Sequence, residues 1–454
     1  MRKQHVFGLV FAVCVLLLSS CSDKDYLNAI PGESTALISM DMQKLSGTNS
    51  QALLKAMLHV SNVDQCGLDL SEKLFLFESP EGDLGLCAKV KDEDDLENLF
   101  DDLSQEGLCQ KPVERRGYQF TLLKGTWAVG FSDKALLVMG PTTASGFAGL
   151  SNKMAKYLSE DEEDGIKGTP IFDRLDSLDA PMAMVTQVQA LPEKFIAPFT
   201  LGAPKDADPS QVYIAADMTV EKGVLTIHGE TFSFQQKIDA SLKRAERTYR
   251  PIQGKYLTAM PHAALLGWFM NVEGSQFIKI LQSNKSMVAL LAGINAAVDM
   301  DNIIRSVKGD MAIVMPAYSD NSLSMSMAAQ LGNSSWIEDV SYWKQSCPEG
   351  GTIVDWGKNA WHYTDGKTSF YFGVSPDLQF FSGSSEEEAR RSIVPLPAGA
   401  AIPSTLQKQF IGKKMVMYIN LNAMQGGSHS AVNAVTGMLK PLFGDIHSIV
   451  YILK

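Results

Sequence analysis

The chain has 454 residues and carries 40 Lys and Arg against 51 Asp and Glu, a formal net charge of −11. Nucleic-acid binding needs concentrated Lys and Arg, and no such basic patch is readable in this acidic sequence, so no nucleic-acid partner is expected. The length fits about two to four domains with cores of their own, which makes a disulfide framework an improbable use for the six cysteines.

The first twenty residues read as an export signal. Arg2 and Lys3 provide a positive start, and the apolar run at 6–18 is too short to span a bilayer comfortably. The following "LSSC" at 18–21 resembles the bacterial lipobox. We therefore predict a lipoprotein signal peptide over 1–20 and lipidation (palmitate) of Cys21; an ordinary cleavable signal with a stray cysteine is the alternative.

Lipidation predicts attachment to a membrane. Each buried methylene contributes about 0.8 kcal/mol, so several acyl chains hold a protein firmly where one holds it weakly. Residues 21–30 would form the lipidated tether. Ser22 after the lipidated cysteine resembles the sorting signal for the outer membrane, and the periplasmic and surface-facing orientations both remain open.

A six-residue phrase occurs twice, as "YLNAIP" at 26–31 and "YLTAMP" at 256–261, a shift of 230. Proline favours extended geometry in the preceding residue, which suits the entry to a strand. Under the same shift, alternate positions of the next segments are all apolar: Ala36, Ile38, Met40 and Met42 in the first, and Leu266, Trp268, Met270 and Val272 in the second. These predict a strand buried on that side, with a less deeply buried opposite face.

Two further segments match in the same order. Residues 127–140 resemble 370–383, each typical of a hairpin with a serine-containing turn, and residues 182–191 resemble 415–424. Their shifts of 243 and 233 stay near 230, as loop insertions would produce. Coincidence is the alternative, since apolar alternation is common. The repetition predicts a first domain at 31–235, a linker helix at 236–255 and a second domain at 256–454.

The remaining elements follow one order in both halves. Apolar spacing predicts helices over 50–60, 92–103, 275–294 and 334–345, and paired strands over 72–90 and 309–331. Strands and helices in this order indicate an α+β fold: two related copies in tandem, each with a largely antiparallel sheet packed by helices. The first half continues through 223–234 with no counterpart before Lys454, so the second copy either has fewer strands or borrows one.

Three stretches carry a family resemblance: "CSDKDYLNAIP" at 21–31, "GLCAKVKDEDDL" at 85–96 and "GFSDKALLVMG" at 130–140. At these residues the chain resembles a family of lipoproteins from gut-associated Gram-negative bacteria, known as domain of unknown function 4836, and the likeness runs over most of the mature chain. The resemblance implies a two-copy lipoprotein. It brings no established activity, substrate or catalytic residue.

Motifs for chemistry are mostly missing from the sequence. No two mature histidines take the His-Glu-x-x-His spacing, and the phosphate-loop pattern ending at 365–369 would need a glycine where Trp361 stands. The acidic run at 92–103 lacks the alternating Asp pattern of a calcium loop, and its apolar residues share one helical face, so we interpret it as a solvated helix. No cofactor, metal site or catalytic residue is predicted.

The densest aromatic stretch, at 355–372, offers one candidate site. If exposed, Trp356, Trp361 and Tyr363 would form a platform for a sugar or a peptide; if buried, they are sheet core, which their alternation favours. The other mature cysteines are interpreted as small buried residues, with a single bridge as the alternative: Cys66, Cys87, Cys109 and Cys347.

These observations favour a lipid-anchored envelope protein that is a non-catalytic binding or assembly module, with envelope proteins or glycans as partners. The alternative is an envelope hydrolase whose site is assembled from scattered residues. A purely structural role in the envelope is a third reading.

Overall fold

The computed structural model describes residues 24–45, 65–191, 193–316, 324–424, 440 and 444–454. The predicted signal peptide, Cys21 and the helix predicted over 50–60 lie outside these residues. The chain divides into two compact units, a first up to Thr186 and a second from Gln187 to Lys454. This division lies well before residue 235, where the sequence suggested that the first domain ends.

The first unit is built on an antiparallel sheet of eight strands. These are β1 (Ala36–Met40), β2 (Leu74–Glu78), β3 (Leu84–Lys89), β4 (Val113–Arg115), β5 (Tyr118–Leu123), β6 (Trp127–Phe131), β7 (Ala135–Gly140) and β8 (Met182–Gln187). Across the sheet they run β8-β1-β2-β3-β7-β6-β5-β4. The paired strands predicted over 72–90 are therefore present as β2 and β3.

Helices of the first unit pack apolar stripes onto this sheet. They are α1 (Met42–Leu45), α2 (Glu93–Gln105), α3 (Phe147–Ser159) and α4 (Pro170–Asp176). The helix predicted over 92–103 is confirmed as α2: the side chain of Asp92 accepts a hydrogen bond from the Asp95 N–H at 3.1 Å, as an N-cap does. Its predicted apolar face, Leu96, Leu99, Phe100 and Leu103, is buried.

The second unit holds twelve described strands. They are β9 (Tyr213–Glu221), β10 (Val224–Phe232), β11 (Tyr249–Arg250), β12 (Leu266–Glu273), β13 (Val307–Met315), β14 (Ser326–Leu331), β15 (Thr352–Gly357), β16 (Ala360–Thr364), β17 (Ser369–Val374), β18 (Gln379–Gly383), β19 (Met415–Asn420) and β20 (Ser448–Leu453). Eleven of them run β9-β10-β20-β19-β12-β13-β14-β18-β17-β16-β15, and β11 pairs with one end of β12. Only the β10–β20 pairing is parallel among these.

Eight helices lie in the described residues of the second unit. They are α5 (Glu193–Phe199), α6 (Gln236–Glu246), α7 (Gly274–Ser283), α8 (Lys285–Asn295), α9 (Met300–Arg305), α10 (Val340–Gln345), α11 (Glu386–Arg391) and α12 (Ser404–Phe410). Together the units form a mixed α and β protein whose sheets are mostly antiparallel.

Eight strands of each unit follow the same order along the chain and across the sheet. Strand β1 lies between β8 and β2, as β12 lies between β19 and β13. The registers correspond as well: Met40 is opposite Met182, and Met270, 230 positions after Met40, is opposite Met415, 233 positions after Met182. The strand pairings thus follow the same shifts as the repeated sequence.

The repeated segments also adopt the same local structure. The phrases at 26–31 and 256–261 each contain a short 3-10 helix, Asp25–Ala29 and Leu257–Ala259, and each ends in a proline that forms an isolated bridge. The predicted hairpins at 127–140 and 370–383 are confirmed. Ser132 caps one turn and Ser375 caps the other, and the second turn is one residue longer.

Three predicted elements differ in detail. The helix predicted over 275–294 is broken at Asn284 into α7 and α8. The helix predicted over 334–345 begins as a 3-10 helix, Ser335–Asp339. The linker helix predicted over 236–255 ends at Glu246, because the chain then pairs with β12 as β11.

The predicted burial holds for most of β12, where Trp268, Met270 and Val272 are buried, and only in part for β1. Leu37 and Ser39 are buried, whereas Ala36 and Ile38 are only half-buried. The strand lies inside the sheet, with β8 and β2 on its two sides, and Met40 is buried on the predicted face while Leu37 and Ser39 are buried on the other. In a strand that is covered on both faces, alternate residues do not differ clearly in burial, and the prediction relied on such a difference.

Candidate functional site: a polar cleft in the second unit

A cleft of about 840 Å³ lies in the second unit, within the usual volume of small-molecule sites. It is open to solvent and combines charged, amide and apolar side chains. Its lining residues are Arg250, Pro251, Ile252, Gln253, Lys255, Asn271, Lys308, Gly309, Asp310, Gln330, Ile411 and Gly412.

One wall is the extended segment that follows α6. Pro251 fixes its own φ and offers no N–H, which favours an extended path over a helix. The Ile252 N–H donates to the Lys413 carbonyl at 2.8 Å, and the Gly412 N–H donates to the Ile252 carbonyl at 2.8 Å. These two hydrogen bonds hold the segment against residues 412–413 and fix that side of the cleft.

Asp310, on β13, anchors the floor of the cleft. Its side chain is buried and accepts backbone hydrogen bonds from Gln253 at 2.9 Å and from Lys255 at 2.8 Å. The Asn271 amide, on β12 and also buried, donates to Asp310 Oδ1 at 2.9 Å. Buried polar groups persist when their hydrogen bonds are satisfied, and this carboxylate is satisfied by three residues from two other segments. It is a fixed polar anchor.

An irregularity in β13 shapes the opposite wall. The pairing of β13 with β14 shifts register between Val307 and Met311. Gly309 lies within this stretch with φ +145°, and a Cβ there would lie 3.1 Å from the Cβ of Gln330. Such irregularities bend a strand and redirect its side chains. Lys308 is exposed at this bend, at the edge of the cleft.

Three cationic side chains surround the opening. Arg250 pairs with Glu273 at 2.6 Å, and Lys255 contacts Gln330 Oε1 and lies 4.0 Å from an oxygen of Asp377. Lys308 forms no salt bridge with any residue of the described chain. Exposed ion pairs contribute little free energy, so a ligand can compete for these cations.

Asp377 sits at the edge of this group. Its Oδ1 accepts a hydrogen bond from the Ser375 hydroxyl at 2.6 Å, which is the main reason why its pKa is lowered, with a smaller contribution from the charge of Lys255. The carboxylate therefore stays charged and balances part of the positive charge around the opening.

Two of the three candidate platform residues, Trp361 and Tyr363, are buried, as their alternation favoured. Trp361 is 6% exposed and Tyr363 is 2% exposed, and the Trp361 ring packs edge-on against Trp336 at 5.9 Å between centroids. Trp356 is half-buried: its Nε1 donates to the Trp361 carbonyl at 2.8 Å, and the Arg390 guanidinium lies 4.4 Å from its ring centre. Burying a large aromatic surface is more favourable in free energy than leaving it in water, so the rings of Trp361 and Tyr363 stabilise the core by packing.

The four described cysteines form no disulfide bond. Cys66, Cys87 and Cys109 are buried, as interpreted from the sequence, and Cys347 is half-buried. The Cys87 thiol donates to the Tyr26 carbonyl at 3.3 Å, and burial raises its pKa far above the usual range. It is a packed thiol and not a reactive one.

Sequence reasoning missed the cleft. Residues 250–255 were interpreted as part of a linker, although the Pro-Gly content of this stretch already argued against a helix there. Within the described ranges, no three His, Cys, Asp or Glu residues are placed to hold a metal ion. A search of the same ranges finds no helix with the length and apolar character to cross a bilayer.

The second unit thus belongs to an α+β protein with mostly antiparallel sheets, and it carries an open cleft lined by charged, amide and apolar side chains. The family described as "Domain of unknown function (DUF4836)" matches residues 33–394, and the chain belongs to this family. No curated protein matches the chain.

Two solved structures show some likeness. "Structure of crystal form IV of TP0453" is 9% identical, with 45% of this chain and 79% of that chain covered and a TM-score of 0.27. "Structure of crystal form III of TP0453" is 9% identical, with 81% and 96% covered and a TM-score of 0.24.

Proposed function

We propose that this protein is a lipid-anchored component of the cell envelope, attached through Cys21 to the outer membrane, and that it acts as a non-catalytic binding module. Its ligand is an oligosaccharide with an acidic group, held in the cleft of the second unit. The observation that carries the proposal is the cleft itself: an anchored floor at Asp310 under an opening lined by Arg250, Lys255 and Lys308.

The state of the floor favours binding over chemistry. Asp310 and Asn271 are hydrogen-bonded to each other, and Asp310 also accepts from Gln253 and Lys255. A general acid or base must be able to reach a proton on the substrate, whereas this carboxylate is committed to holding the wall in place. A rigid floor that keeps the opening in shape is what a binding site requires.

The residues around the opening suit a hydroxyl-rich, acidic ligand. Gln253 is exposed and presents an amide that both donates and accepts hydrogen bonds, which matches sugar hydroxyls. The Gln330 amide is held by Lys255 and by the carbonyls of Leu331 and Leu378, so it helps to fix the wall. Lys308 has no salt bridge within the described residues and is free to pair with a carboxylate. The volume of about 840 Å³ exceeds what one sugar ring requires, so a short oligosaccharide is proposed.

We also infer that the two units are related copies of one fold. The inference is supported by the shared order of eight strands and by the matching registers at Met40–Met182 and Met270–Met415. The shifts read from the sequence, 230 and 233, agree with these registers. Anchoring by Cys21 is supported by the apolar leader and the lipobox-like residues 18–21.

Lys308→Ala tests the ligand assignment. Isothermal titration calorimetry with trigalacturonate should show binding to the unchanged protein and about fivefold weaker binding to the variant, since one exposed charge contributes up to about 1 kcal/mol. The difference should shrink at high salt, which screens exposed charges. Lys237→Ala, which removes an exposed lysine at the start of α6 that does not line the cleft, should leave binding unchanged.

Three results would contradict the proposal. One is equal binding of trigalacturonate and the uncharged maltotriose, and another is an equal loss of affinity in both lysine variants. The third is the appearance of shorter oligosaccharides during the titration, which would indicate a hydrolase.

A further inference from the structure

A second cavity, of about 290 Å³, lies in the second unit, and its lining shares no residue with that of the proposed oligosaccharide site. Its floor is the face of β13 and β14 that carries small side chains: Ala312, Val314, Ser326 and Ala328. Met260 and Pro261 form another side, and residues of α11 line the mouth.

In the first unit a phenylalanine occupies the position that corresponds to Val314 of this cavity. Val314 pairs with Gly267 on β12 and with Ser326 on β14. The residue with the same pairing in the first unit is Phe77, which lies opposite Leu37 on β1 and Gly85 on β3.

The ring of Phe77 fills that region of the first unit. Phe77 is 3% exposed, and its ring covers Gly85 so closely that a Cβ added to this glycine would clash with it. The second unit thus carries a smaller residue than the first at two of these paired positions, Gly267 and Val314.

At the neighbouring cross-strand pair the second unit keeps a phenyl ring. Phe75 lies opposite Ser39 in the first unit, and Ala312 lies opposite Phe269 in the second. One phenyl ring is present in both cases, on one strand or on the other, so volume is retained there. Between Gly267 and Val314 the ring is missing, and Met260, whose sulfur packs over Gly267, replaces only part of it.

The helix beside the cavity is also shorter. In the first unit the thirteen-residue α3 follows β7 and buries Leu150 and Met154. In the second unit the six-residue α11 follows β18 and buries only Ala389. The shorter α11 therefore contributes fewer buried apolar side chains than α3 does.

Polar groups at the mouth have partners within the second unit. Arg391 pairs with Glu387 at 2.6 Å, and Glu388 accepts hydrogen bonds from the Ser324 hydroxyl at 3.1 Å and the Ser384 N–H at 3.0 Å. The donors to Glu388 are neutral, so its negative charge stays at the mouth and disfavours an anionic ligand, while the only cation among the described lining residues is already paired.

We propose that this cavity is a binding site for a small neutral molecule with one aromatic ring, and that the ring occupies the space which Phe77 fills in the first unit. The polar end of the molecule lies at the mouth, beside α11. Burial of a phenyl ring against apolar side chains supplies the affinity.

The test uses 4-fluorophenol as the probe, with binding followed by the shift and broadening of its fluorine NMR signal. Val314→Phe places a phenyl ring in the cavity and should weaken binding at least tenfold. Ser326→Leu fills the same space from β14 and gives a second reading should one variant fold poorly. Lys308→Ala, which changes the oligosaccharide cleft, should leave 4-fluorophenol binding unchanged.

The reciprocal change, Phe77→Val, should open the equivalent space in the first unit and add a second binding site for 4-fluorophenol. The proposal is overturned if the unchanged protein does not bind the probe at millimolar concentration. It is also overturned if both filling variants bind the probe as tightly as the unchanged protein.

Discussion

At the scale of single residues, Glu160 is a buried carboxylate whose negative charge is only partly offset by a nearby lysine. Its side chain is 9% exposed and lies 3.7 Å from Lys156 Nζ, and its Oε2 has no hydrogen-bond partner among the described residues. Burial raises its pKa, and the nearby charges of Asp164 and Asp161 act in the same direction. The folded state therefore disfavours the ionised form.

Glu160→Gln should stabilise the protein at neutral pH. Below the pKa of the unfolded chain, near 4.3, glutamate is protonated in both states and the two proteins should differ little in pH dependence. As pH rises through the raised folded pKa, the original protein loses stability that the glutamine variant keeps. Melting temperatures at pH 4 and pH 7 measure this; the advantage of the variant should be larger at pH 7.

Exposed Glu163 provides the control for this prediction. Glu163→Gln should give no comparable gain at pH 7, because its side chain lies in solvent. An advantage of Glu160→Gln that is the same at both pH values would contradict the role given to ionisation.

At the scale of elements, Asn284 separates α7 from α8. It is buried, its Oδ1 accepts from the Met287 N–H at 3.0 Å, and its Nδ2 donates to Thr200 Oγ1 at 2.9 Å. One side chain thus caps the second helix and ties it to the loop after α5. A polar residue that satisfies a helix start in this way redirects the chain where apolar spacing alone predicts one continuous helix.

Asn284→Ala should lower the free energy of unfolding by about 1–2 kcal/mol, the usual cost of losing a cap together with a buried hydrogen bond. Chemical denaturation measures the change. The neighbouring Lys285 is exposed, and Lys285→Ala should cost almost nothing. Equal stability of the two variants would show that the cap is unimportant.

The elements that the sequence could predict are those whose determinants lie close together along the chain. Helix α2 was predictable because its cap, Asp92, and its apolar stripe lie within one short segment. The hairpin at 127–140 was predictable for the same reason. Asp310 was not, because its partners lie 39 to 57 positions away, at Asn271, Lys255 and Gln253, and only the folded sheet brings them together. The burial of Trp361 was favoured from alternation, whereas the packing on Trp336 that accounts for it was not visible.

At the scale of the whole molecule, the proposed anchor would decide where both proposed sites operate. Asp25–Ala29 form a 3-10 helix in which Tyr26 and Leu27 are buried, so the predicted tether over 21–30 is shorter than the sequence suggested. If Cys21 carries the lipid, so short a tether keeps the first unit close to the membrane surface. In this proposal lipid attachment depends on Cys21, and ligand binding depends on Lys308 and its neighbours.

Cys21→Ala should move the protein from the membrane fraction to the soluble fraction of the envelope and abolish incorporation of labelled palmitate, because the acyl chains supply the binding free energy. Cell fractionation and metabolic labelling measure the two effects. Cys14→Ala, within the predicted signal peptide, should change neither. Persistence of Cys21→Ala in the membrane fraction would contradict lipid anchoring.

The parallel pairing of β10 with β20 has a consequence for the rate at which the second unit assembles. Val224 is paired with Ser448, so these partners lie 224 positions apart, and β20 also separates β10 from β19. Ordering so distant a contact costs loop-closure entropy before it yields any stabilisation, and chains with many such contacts fold slowly. Until β20 arrives, the edges of β10 and β19 are open to association with other strands. The second unit is therefore expected to complete its sheet more slowly than a domain built of hairpins alone.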